Sequence, residues 1–202
     1  MHASCILYNC TLATFLPPLS YSTLYTWWED RLREVTAGGR HIIVFLSKVS
    51  SRTAGKEQEV RPPFESEGID WPIVYPSSSS VESNPISHPS SALEVSGVVS
   101  LTTPFSQTGP FRGQVEKLFV SPLHRRKGIA RRIMTKLEAV ALEHGRWNLM
   151  LDTELGSEAE SVYPRLGYTR LGVVKEYGYS PEDGRLVDEV WFWKDLRKGK
   201  LT

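Results

Sequence analysis

Apolar residues recur along this chain with a period that changes from segment to segment. From Ser20 onward, Leu24, Trp28, Leu32 and Val35 fall on one stripe of a 3.6-residue period. Gly38-Gly39 stops it, which predicts a helix ending near 37. Residues 41–46 form a short, wholly apolar run after His41 and predict a buried strand. The period then vanishes over 51–92, a stretch rich in Ser, Pro and Glu with four serines at 77–80. Such a segment has too little apolar surface to offset its ordering entropy, so a long disordered insertion between two strands is expected. Strand patterning returns at 94–101, and a turn at Gly109-Pro110 leads into a second strand at 112–121, which predicts a hairpin. A helix follows from Gly128 to about Glu143, with Ile129, Ile133, Leu137, Val140 and Ala141 inward and His144-Gly145 as its end. Residues 147–152 give the next strand, parallel to the previous one across that crossover. Ser157-Glu158-Ala159-Glu160 has the form of a capping box and predicts a short helix, with Ala159, Val162 and Leu166 inward and Gly167 closing it. Two strands at 168–175 and 187–195, joined by a turn at 181–184, complete the pattern. The fold class is therefore α/β, a mixed sheet with helices on both faces. Residues 20–196 form one domain, 1–19 an irregular start and 197–202 a tail.

Composition narrows the chemistry. The 202 residues carry 40% hydrophobic and 23% charged side chains, the balance of an ordinary globular domain. A net charge of +1 gives no general attraction to nucleic acid or an anionic membrane, so any anion site must be local. Cys5 and Cys10 make neither a disulfide framework nor a zinc pattern, and no metal site is expected. No apolar run reaches the length of a membrane span, and 5–19 lacks the basic flank of a signal peptide. The expected location is the cytoplasm.

A local anion site does stand out. Residues 115–130 run from strand through a basic turn, Arg125-Arg126-Lys127, into a glycine that opens a helix, Gly128-Ile129-Ala130. The first N–H groups of a helix lack intrahelical partners, and the macrodipole adds about half a positive charge there, so phosphate binds. Gly128 lets the backbone approach such a ligand closely. Arg125-x-x-Gly128-x-Ala130, preceded by Leu118-x-Val120-x-Pro122, resembles the acyl-coenzyme A site of the GNAT N-acetyltransferase superfamily. The downstream run Ala159-x-x-x-Tyr163-x-x-Leu166-Gly167-Tyr168 resembles that superfamily's second motif.

The resemblance implies a GNAT acyl-CoA N-acyltransferase fold and acetyl-CoA as co-substrate. Leu118, Phe119, Val120, Arg125, Arg126, Lys127, Gly128, Ile129 and Ala130 would bind it, with an N–H near Phe119 or Val120 polarising the thioester where strand 112–121 splays from 147–152. Tyr163 would protonate the departing thiolate, although Pro164 beside it threatens a kink. The runs 151–154, 156–160, 167–172 and 179–186 are similar to the tabtoxin-resistance branch, which implies a small, amino-acid-like amine as acceptor. That branch places a glutamate where Gln114 stands, and a glutamine cannot act as a base. Glu116, two residues on, shares its strand face, and Asp152 ends the neighbouring parallel strand. Glu116 and Asp152 are the candidate bases, with Gln114 positioning the acceptor. His124 reads as an anion contact or nothing, and Trp27-Trp28 as core packing.

GNAT domains normally begin with a strand and helix for which the first twenty residues leave no room, so the resemblance implies a fold lacking them. A sheet edge left bare would favour association, as in a homodimer. An impaired relative that only binds CoA, and a protein or peptide N-acetyltransferase, stay open as alternatives.

Overall fold

The computed structural model describes residues 1–2, 5–6, 14–48 and 93–197. The insertion expected at 51–92 lies outside the described residues. Eight elements hold the core: α1 (Tyr21–Thr36), β1 (Arg40–Lys48), β2 (Leu93–Thr102), β3 (Arg112–Val120), α2 (Ile129–Glu143), β4 (Asn148–Glu154), β5 (Thr169–Tyr179) and β6 (Leu186–Asp195). A single helical turn, Val162–Arg165, stands between β4 and β5. The six strands make one mixed sheet in the order β1-β2-β3-β4-β6-β5. Only β3 and β4 pair parallel, as the α2 crossover requires.

The two helices cover opposite faces. Ile129, Ile133, Met134, Leu137 and Ala141 of α2 are buried with Val99, Leu101, Val115, Leu149 and Phe192. Burying each large apolar side chain there contributes about 1.5–3 kcal/mol. On the other face Leu24 and Trp28 of α1 pack with Leu19, Val98 and Phe119, where Cys5 and Ile6 are also buried. Neighbouring Val98 and Val99 serve the two cores separately, the alternation of a strand covered on both sides.

Several expectations change here. Leu32 and Val35 are exposed, because α1 buries only its first two turns. The strand expected to be buried at 41–46 is the sheet edge, with Val44 and Leu46 about half exposed. Half of the capping box forms: Ser157 Oγ accepts from the Glu160 N–H, but the Glu160 carboxylate accepts from the Gly156 N–H and the Ser157 N–H donates to Glu154 O. Helix nevertheless spans only Val162–Arg165, and 155–161 are turns. Pro164 accounts for this, having no N–H to bond residue 160 and a ring that crowds the preceding turn. Among the described residues no strand precedes α1.

One close approach sets α2 on the sheet. A Cβ at Gly97 of β2 would lie 2.6 Å from Ile129 Cγ2 and 3.4 Å from Ile133 Cδ1. Gly97→Ala should therefore overpack this contact and cost about 1–3 kcal/mol, read as a fall in thermal midpoint of roughly 2–4 °C per kcal/mol. An unchanged midpoint would show that α2 can shift freely.

Candidate active site

The parallel pairing of β3 with β4 covers only three positions, Arg112↔Asn148, Gly113↔Leu149 and Gln114↔Met150. Beyond Gln114 the strands part. On its other side β3 carries one extra residue against β2, between the pairs Val98↔Phe119 and Ser100↔Glu116. Lys117 takes up that bulge at φ 56°. A left-handed lysine costs about 1–3 kcal/mol, the kind of strain held where a backbone must turn side chains toward a site.

A cavity of about 430 Å³ occupies the opening. Gln114, Glu116, Leu118, Phe119, Asp152 and Tyr163 all line it, so six residues marked in the sequence converge. Val120 ends β3, and Ser121 N–H bonds back to Ser96 O to start the basic turn; Val120 and residues 125–130 do not line the cavity. That turn holds Arg126 at φ 60° and Gly128 at φ 73°. Gly128 caps α2 without a side chain that could bond the first-turn N–H groups. A Cβ there would meet nothing within 4 Å, so the helix start faces open space. These features fit a pyrophosphate.

The surrounding cations are only partly committed. Arg125 bonds exposed Glu158 at 3.2 Å, a weak surface pair that ties the turn to the 157–161 segment. His124 is buried, and its Nε2–H donates to Glu94 at 2.7 Å while Nδ1 accepts from Lys127 at 3.3 Å. That tautomer follows from the partners, because a carboxylate only accepts and an ammonium only donates. His124 thus fastens the turn to β2 and is not an anion contact. Ile129 buries its side chain in the core, leaving only its backbone at the helix start. Arg126 stands exposed.

At the cavity floor the expected bases part company. Glu116 accepts from Arg40 at 2.9 Å, and buried Arg40 also bonds Ser100 Oγ at 2.5 Å and Glu34 at 2.6 Å. Removing one member of such a network would leave a buried charge uncompensated, so Glu116 is held as Arg40's counter-ion. Asp152 instead stands near Glu189 of β6, which lies diagonally across the β4–β6 pairing and lines the same cavity. Burial first, then the hydrogen bond and charge of Asp152, push the Glu189 carboxyl up to about 7, with Lys117 opposing and Glu154 adding. Burial lowers the Lys117 ammonium, against the charges of Glu116 and Asp152. Tyr163 is buried against Tyr168 and Phe192, and burial together with the Asp152 charge raises its phenol. It keeps its proton at neutral pH and can donate it.

Ten lining residues were not singled out as site residues in the sequence, among them Trp27, Arg40, Lys117 and Glu189. Trp27 faces the cavity, with Arg31 and Lys117 over its ring at 4.8 and 5.8 Å, while Trp28 alone joins the core. Arg40 and Lys117 carried no local signal. Glu189 did, as a charge inside the apolar run 187–193.

The model of the Acetyltransferase (GNAT) family matches residues 86–168. A GNAT-family protein from Desulfovibrio desulfuricans superposes with a TM-score of 0.53 at 12% identity, covering 91% of this chain and 85% of that one. The ribosomal-protein-alanine N-acetyltransferase of Brucella melitensis gives 0.50 at 17% identity, over 88% and 80%. This is the GNAT acyltransferase fold. The family match and the fold together support the GNAT acetyltransferase superfamily. The structure of yncA from Salmonella typhimurium with its cofactor acetyl-CoA is 22% identical, with a TM-score of 0.45, covering 51% of this chain. The chain spans 59% of that protein's length. Among the described residues no helix is long and apolar enough to cross a membrane.

Gly128→Asp puts a carboxylate where the helix start would meet phosphate. Calorimetric titration with CoA should show affinity lost by at least about 100-fold; the aspartate has room but takes on left-handed strain of about 1–2 kcal/mol at φ 73°, so a thermal melt of the variant checks that the fold is kept. Undiminished binding would move the pyrophosphate elsewhere.

Proposed function

We propose that this chain is an acetyl-CoA-dependent N-acetyltransferase that carries the acetyl group directly to the primary amine of a small molecule, in a ternary complex. The observation that carries the reading is the convergence at one strand opening. A glycine-capped, cation-flanked helix start follows the end of β3, and Tyr163, Asp152 and Gln114 line the cavity beside that strand.

Acetyl-CoA would supply the activated acyl group as a thioester. Arg125, Arg126 and Lys127, with the first N–H groups of α2, would neutralise its phosphates. Past Gln114, β3 has no strand partner on the β4 side, so an N–H near Phe119 or Val120 would be free to bond the thioester oxygen. Gln114 would orient the acceptor. An amine arrives as ammonium and must lose a proton before it can attack. Asp152 would serve that step, with Glu116 retained as a fixed charge beside Arg40. Tyr163 would return a proton to the leaving sulfur.

The cavity carries Arg31, Arg40 and Lys117 against Glu34, Glu116, Asp152 and Glu189. Near-balanced charge suits an acceptor bearing both signs, in keeping with the likeness to the tabtoxin-resistance branch and an amino-acid-like compound. The cytoplasm, where acetyl-CoA is made available, is the proposed location.

The test is thiol release from acetyl-CoA with a panel of free amino acids, simple amines and short peptides. Amine-dependent thiol and a product heavier by one acetyl group are expected with the amino acids. Turnover of peptides alone would make the chain a peptide acetyltransferase, and intact CoA binding without thiol would leave a CoA-binding protein. In the active enzyme Tyr163→Phe should lower kcat by about 100-fold with CoA affinity nearly unchanged. A matching loss of affinity would make Tyr163 a packing residue.

A further inference from the structure

Glu189 is 8% exposed yet lines the cavity with Asp152, Lys117 and Tyr163. The β4–β6 register explains the meeting. Asp152 lies opposite Trp191 and Glu154 opposite Glu189, so Glu189 sits diagonally across from Asp152 on the same sheet face. After burial, Asp152 is the main cause that raises the Glu189 carboxyl. Ionised carboxylates only accept hydrogen bonds, so a bond between these two would need a shared proton. Two carboxylates so close do not both ionise readily. Glu34 and Glu116, the other carboxylates lining the cavity, are both occupied by Arg40.

We propose that Asp152 and Glu189 form a proton-sharing pair whose doubly ionised form takes the proton from the acceptor's ammonium, with Glu189 as a second catalytic carboxylate. The inference rests on the acetyl-transfer reading. Every charged neighbour of the pair bears on it. Lys117 on β3 steadies the ionised form, and Glu154 on β4 opposes it. Tyr163 faces Asp152 from the helical turn, and Glu116 and Arg40 lie across the floor. On β5 the residue opposite Glu189 is Val174, which carries no charge. The step balances as follows. One ammonium proton passes to the pair and on to water, and the nitrogen lone pair attacks the thioester carbon. The C–N bond forms as the C–S bond breaks, Tyr163 gives its proton to sulfur, and of the two protons left on nitrogen one restores the phenol while the other stays on the amide.

The test compares wild type with Glu189→Gln by two readouts. The amide keeps the size of the protonated carboxyl and can donate to Asp152. The low-pH limb of kcat/KM should fall near pH 7 in wild type and move down by at least one unit in the variant, with a plateau at least about tenfold lower. The second readout needs no turnover. Glu189 is raised in the fold from an ordinary 4.5 to about 7, so the native state holds a proton that the unfolded chain releases in that window. Wild-type stability should fall as pH rises through it, and the variant should lack that loss. Its thermal midpoint relative to wild type should therefore climb between pH 4.5 and 8. An active wild type whose pH limb is matched by the variant overturns the catalytic role of Glu189. A pH-independent difference in midpoint overturns the shared proton. A wild type that binds acetyl-CoA but acetylates no amine overturns the functional reading and the acid–base role together.

Discussion

Two parallel strands that stop pairing after three positions govern this molecule. In a continuous sheet the N–H and C=O groups of β3 and β4 would satisfy one another, and no space would remain between them. Here pairing ends at Gln114 and Met150, and the strands diverge around a cavity that takes its polar lining from both. The bulge at Lys117 lets β3 stay bonded to β2 while turning away from β4. A strained lysine backbone is the local cost of that geometry, and the two packed cores on either face hold it in place.

Charged side chains from several elements meet in the opening. Arg40 is the anchor of one side, with Glu34, Ser100 and Glu116 as its partners from three different elements. The pair Asp152–Glu189 forms the other side, across adjacent antiparallel strands. Low local dielectric strengthens both arrangements and makes each expensive to disrupt. It also separates carboxylates that look alike in the sequence. One tied to a buried guanidinium is a fixed charge, whereas two sharing a proton can exchange it near neutral pH.

The basic turn and the helix start rest on the same framework. A Cβ at Gly128 would meet nothing within 4 Å, while α2 behind it lies tightly on β2, where Gly97 leaves no room for a side chain. His124, buried between Glu94 and Lys127, holds the basic turn down beside it. Arg125 then spans to Glu158, so the turn and the segment that delivers Tyr163 meet although they lie far apart in the chain.

The sequence by itself determined the order of elements, the parallel crossover and the glycine that opens α2. Each of those rests on local periodicity or on a short spacing, which a linear chain displays directly, whereas the six cavity-lining residues were marked with the help of a family resemblance. It did not determine that α1 buries only its first turns, that 41–46 lies at an edge, or that Pro164 reduces a helix to one turn. Burial and competing helix signals depend on neighbours that periodicity does not name. Trp27 joined the site and His124 left it for the same reason. The choice among Glu116, Asp152 and Glu189 belonged wholly to tertiary structure. A carboxylate's basicity is set by what stands beside it, and Arg40 and Glu189 reach their partners from 76 and 37 positions away along the chain.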